Sequence, residues 1–209
     1  KPAAFTPFDL SREVHTELLW AFEGITSYYD DLSLTRTGLI APQSYLELLG
    51  QTLSRVYRGQ GRHKQTVTES SFDAWTRFYK QDENAPNAIV SYYTKGSLVA
   101  LALDLTLRER TNDARSLDDL MRLLWQRHGQ TGVGVGRAAH QRIDETFARP
   151  VFGLEIESCR QRQFALAVAQ VVVESVARVH RDLPQVMRFE LERVRVEVCE
   201  LVFDHVRQL

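Results

Sequence analysis

Two short stretches hold side chains whose type and spacing suit chemistry. In LLWAFEGITSYYDDL, residues 18–32, a lone carboxylate, Glu23, is followed at once by Gly24 in the middle of an amphipathic run. On a helix Glu23 shares its face with Thr16, Trp20, Thr26, Ser27 and Asp30, and no lysine or arginine stands three or four residues away to pair with it. A glycine inside a helix costs about 1 kcal/mol against alanine, so Gly24 marks a point where something approaches the backbone closely. A metal site and a packed helix both meet that description, and a solvated acid beside a packing glycine is the plain alternative.

The second stretch is SYYTKG, residues 91–96. A tyrosine hydroxyl there, carried on a rigid element and followed by Lys95 and Gly96, can face a cleft as an oxyanion donor. The competing reading is a core aromatic.

The remaining reactive types are less informative. The six histidines, His15, His63, His128, His140, His180 and His205, include no pair four residues apart. His15 and His63 read as surface residues. Cys159 and Cys199 form neither a CxxC pair nor a disulfide framework and read as half-buried free thiols. GVGVG, residues 132–136, follows no strand and lacks the dinucleotide glycine spacing, so it reads as a turn. The basic run RGQGRHK, residues 58–64, reads as a solvated loop.

The elements that must position Glu23 and a tyrosine of SYYTKG are helices. Residues 1–10, with Pro2 and Pro7, form an extended lead-in whose Asp9 or Ser11 caps the helix that follows. Val14, Leu18, Phe22, Ile25, Tyr29 and Leu32 then make one apolar stripe. A second helix is predicted over 44–57 after Pro42, and an acid-capped helical turn within 65–80. From Ile89 to Arg108 the apolar residues run nearly all round, the pattern of a helix buried on most sides. Ser116 and Asp119 open another helix as a capping-box variant, with Gly129 past its end. Beyond Arg137 the Val- and Arg-rich segment reads as further helix. MRFELERVRVEVCELVFDHV, residues 187–206, also alternates like a strand, and its length favours helix.

Composition narrows the function classes. The 209 residues are 44% hydrophobic and 25% charged, an ordinary globular balance. A formal net charge of −1 gives no electrostatic reason to expect nucleic acid or an anionic membrane as partner. The strongly apolar stretch Leu98–Leu103 ends at Asp104, far short of the roughly 20 residues a bilayer requires. No basic-then-apolar leader opens the chain, so no signal peptide is expected.

Taken together, WAFEGITSYY and the later YYTKG resemble the glycyl aminopeptidase family, PDZ-bearing zinc metallopeptidases of the gluzincin clan. KPAAFTPFDL and ESSFDAWTRFYKQDENAPNAIVSYYTKGSLVALALDL are similar to family sequences as well, and the resemblance runs over about residues 1–135. It implies a mainly α fold: residues 1–136 as the C-terminal helical part of a gluzincin-type metallopeptidase catalytic domain, followed by an unmatched, helical tail over 137–209. It implies Glu23 as the third ligand of a catalytic Zn²⁺, Tyr93 as the residue that stabilises the tetrahedral intermediate, and a peptide substrate with N-terminal glycine or alanine. The compartment, bacterial cytoplasm or periplasm, stays open.

The chain departs from the family pattern in two places. HExxH, whose paired histidines share a helix face and whose glutamate is the general base, is absent. In the family it lies shortly before the segment that opens here with KP, so the chain is expected to begin just after it, to bind no stoichiometric zinc alone and to hydrolyse no peptide. Downstream, no PDZ pattern follows Gly136, and a changed reading frame or gene fusion is the expected origin of the tail. A non-catalytic helical module, self-associating as a homo-oligomer through that tail, is the alternative function.

Overall fold

The computed structural model describes residues 2–5, 7 and 9–135, and their regular structure is almost wholly helical. The proposed tail over 137–209, with His140, Cys159, His180, Cys199 and His205, lies outside the described residues. Among the described residues the α-helices are α1 Leu19–Arg36, α2 Pro42–Arg58, α3 Val67–Phe72, α4 Ala85–Ala88, α5 Thr94–Arg110 and α6 Leu117–Leu124. No helix among them is long and apolar enough to cross a membrane.

The start of α1 differs from the sequence expectation. Asp9 does not cap it: its carboxylate accepts the Ser11 N–H at 3.0 Å and hydroxyl at 2.6 Å, and it pairs with Arg12. The helix begins only at Leu19, where the Trp20 N–H donates to the Ser71 hydroxyl at 2.9 Å. That acceptor is 51 residues away in the chain. An orphan N–H at a helix terminus needs some partner, and here the tertiary fold provides it.

The capping predictions further along hold. The Thr66 hydroxyl accepts the Glu69 N–H at 3.1 Å while the Glu69 carboxylate accepts the Thr66 N–H at 2.8 Å, a capping box opening α3. At α6 the Asp119 carboxylate accepts the Ser116 N–H at 2.9 Å. Past α6 the chain widens into a π-type turn, Trp125–Gly129, so that Gly129 closes the turn rather than following the helix.

Residues 89–93 are not helical, although their apolar character suited a longer α5. The Val90 N–H donates to the Gln65 side chain at 3.1 Å and its C=O accepts the Ser70 hydroxyl at 2.5 Å, so both backbone groups are taken before a helix can use them. Ser91 then accepts the Thr94 N–H at 3.1 Å and starts α5.

The core lies where α1, α5 and α6 meet. Ile25 and Tyr28 of α1, Ala100, Leu101 and Leu107 of α5, and Leu117 and Leu120 of α6 are buried together, each large side chain contributing about 1.5–3 kcal/mol. Asp104 sits inside that core at 3% exposure. Its carboxylate accepts the Tyr28 hydroxyl at 2.7 Å, the Arg108 Nε–H at 3.0 Å and the Leu117 N–H at 2.6 Å, so the acid that interrupts an apolar run fastens three helices.

Candidate functional site

The contact between α1 and α5 is the most extensive between any two elements described, and two glycines lie at its centre. A Cβ added to Gly24 would stand 2.6 Å from the Gly96 carbonyl carbon, and one added to Gly96 would stand 2.8 Å from the Trp20 oxygen. Backbone therefore touches backbone, which any side chain would prevent. The close approach that Gly24 marks is the backbone of α5 at Gly96.

The crossing has a chemical consequence. Glu23 adjoins one glycine, and Tyr93 comes one turn before the other, at the entry to α5. Both are half-buried. The Tyr93 phenol is held above its ordinary value, chiefly by burial and next by its hydrogen bond with Tyr79, the negative charge of Glu23 adding a smaller push in the same direction.

A cleft of about 240 Å³ opens between α1, α2 and the start of α5. Tyr93, Ser27, Asp30, Asp31, Tyr45 and Arg55 are among its walls. Glu23 is not among the lining residues; it stands on α1 one turn before Ser27, which is. Tyr45 is pushed up to about 12, mainly by burial and next by the charge of Asp31.

Tyr93 belongs to a cluster of aromatic rings. A π-type turn, Ala74–Phe78, ends with the Tyr79 N–H donating to the Ala74 C=O at 2.9 Å, a geometry that recurs at functional sites. It presents Phe78 against the rings of Tyr92 and Tyr93, at 4.9 and 5.9 Å between centroids. The Tyr79 hydroxyl lies 3.0 Å from the Tyr92 hydroxyl and 3.2 Å from that of Tyr93. Sequence reasoning misses Tyr79, because no local spacing connects it with Tyr93.

Behind Tyr93, Lys95 is buried at 6% exposure, and its ammonium donates to the Arg62 C=O over a long 3.5 Å. Burial, then the Arg62 charge, pushes it down to about 8. His15 and His63 serve no common centre: His15 stacks on Phe72, and burial with neighbouring cations lowers His63. Among the described residues no three His, Cys, Asp or Glu side chains gather as a metal site. A catalytic zinc takes three protein ligands, so the described residues fit that ion only as the donor of one carboxylate.

Helical architecture and glycine-mediated crossing are accompanied by sequence kinship to peptidases. Residues 1–99 match the family model described as M61 glycyl aminopeptidase. Residues 1–99 thus resemble part of a peptidase-family domain. Among solved structures, the crystal structure of an aminopeptidase N family protein from Idiomarina loihiensis is similar, at 54% identity and a TM-score of 0.64, over 65% of this chain. The match spans 23% of that protein's chain. Among curated proteins none matches.

Proposed function

We infer that residues 1–136 are the C-terminal helical part of a zinc metallo-aminopeptidase catalytic domain, in which Glu23 is the carboxylate ligand and Tyr93 the oxyanion donor. The observation that carries this reading is the Gly24–Gly96 contact, because it joins the turn bearing Glu23 to the turn bearing Tyr93. The family match supports a peptide as substrate, cleaved after an N-terminal glycine or alanine.

Zinc held by two imidazoles and a carboxylate supplies an activated water and polarises the scissile carbonyl. The residues of this chain do the rest. α1 holds the Glu23 carboxylate on a rigid scaffold, with no lysine or arginine on neighbouring turns to neutralise it. Tyr93, kept protonated at neutral pH, donates its phenolic hydrogen to the oxygen on which negative charge develops.

One carboxylate without the paired imidazoles makes a poor zinc site, so the 209-residue chain alone is expected to hold no stoichiometric metal and to leave peptides intact. A protein extended at its N-terminus to include an HExxH helix tests the assignment. It should cleave glycyl substrates with zinc, and Glu23→Ala or Tyr93→Phe should lower kcat/KM by about 100-fold or more. Activity retained in both variants would refute it.

A further inference from the structure

Two surfaces flank Tyr93, and their chemistry differs. The cleft side carries two carboxylates, Asp30 and Asp31, against one guanidinium, that of Arg55, so negative charge is in excess there. On the other side the Tyr79 hydroxyl lies 3.2 Å from that of Tyr93, and aromatic surface continues outward to Trp75, whose ring centroid is 6.2 Å from that of Tyr79. Both rings meet solvent, Tyr79 at 59% and Trp75 at 46% exposure. They are also held in place. The Trp75 indole N–H donates to the Val14 C=O at 3.3 Å, and Phe78 packs edge-on to Tyr79 at 5.3 Å. With the indole's polar atom spent on the protein, the part of Trp75 left for a partner is apolar, and an apolar or aromatic group is what it can take.

Charge gives a bound peptide its direction. The free ammonium suits the side with Asp30 and Asp31, and a lone glycine or alanine before the scissile bond has no side chain large enough to use two rings. The aromatic side therefore faces the leaving portion, whose first residue starts about 3.8 Å further along the chain. We propose that Tyr79 and Trp75 form a specificity surface for the residue just after the scissile bond, favouring an aromatic or large apolar side chain there. The inference rests on reading Tyr93 as the group that meets the scissile carbonyl, and it names the substrates that this site prefers. A benzyl group laid on two fixed rings sheds water from both partners and gains ring contact, whereas a methyl group covers little of either.

In the protein extended with HExxH, kcat/KM for glycyl-phenylalanine amide should exceed that for glycyl-alanine amide by about tenfold, and Trp75→Ala should bring the ratio to within about twofold of unity. A ratio near unity in the native sequence would overturn the proposal. So would a ratio that survives Trp75→Ala, including an equal loss on both substrates, which is what a purely structural role produces. Binding to the 209-residue chain reads the same surface without zinc or turnover. Phenylalanine amide should shift the Trp75 indole N–H resonance, identified by its loss in Trp75→Phe, along a saturating curve, while alanine amide should leave it in place. An equal response to the two amides, or none to either, would overturn the surface. An extended protein that cleaves neither substrate would count against the peptidase reading, and the indole signal would still decide this one.

Discussion

Lys95 occupies an unfavourable position, and the sign of that penalty can be worked out. Its ammonium is buried beside Arg62, so the folded chain binds that proton less tightly than the unfolded chain, about 8 against an ordinary 10.5. A base whose value falls on folding makes the protein gain stability as pH rises from the folded value toward the unfolded one. Between pH 8 and 9.5 the stability measured by urea denaturation should therefore increase by about 1–2 kcal/mol. The tyrosines raised on folding ionise in the unfolded chain near pH 10 and offset part of the gain at the upper edge of this window. Lys95→Met should abolish the increase; an increase that persists would assign it to another group. At this scale the sequence was partly legible. Glu23 and Tyr93 stood out through the resemblance, whereas Tyr79 did not, because its relation to Tyr93 depends on a π-type turn that no composition rule marks.

At the scale of elements, two glycines in helices make opposite predictions. Gly24→Ala forces a methyl against the Gly96 backbone, which cannot rotate away. It should destabilise by about 1–3 kcal/mol, lowering the thermal midpoint. A methyl added to Gly50, within α2, would meet nothing within 4 Å. Gly50→Ala should stabilise by about 0.4–1 kcal/mol by restricting the unfolded chain. Equal effects of the two substitutions would contradict the close crossing. Most helices were legible from apolar periodicity and from the Ser116 start. The entry to α1 and the non-helical segment 89–93 were not, since distant side chains, Ser71 in one case and Gln65 with Ser70 in the other, take the backbone groups that decide them. Gly24 was legible as a point of close approach, but nothing local to residue 24 says that its partner is residue 96.

Across the molecule, Asp104 couples the elements that carry the site. Its carboxylate holds Tyr28 of α1, Arg108 of α5 and the first N–H of α6. Asp104→Ala leaves the buried Tyr28 hydroxyl and Leu117 N–H without their acceptor and should cost about 3 kcal/mol or more in a urea titration; a loss under about 1 kcal/mol would show that the network is dispensable. In the sequence this residue read only as the end of an apolar stretch, because its partners come from three different helices.

The central claim is that one helix crossing brings Glu23 and Tyr93 to a common site. The most direct measurement follows the ionisation of the Tyr93 phenol, by its Cζ resonance, in the native chain and in Glu23→Gln. A nearby negative charge disfavours the phenolate, and Glu23 contributes to holding Tyr93 above its ordinary value. Tyr93 should therefore ionise at lower pH once that charge is removed. An identical titration curve in the two proteins would mean that the carboxylate and the phenol do not share a site.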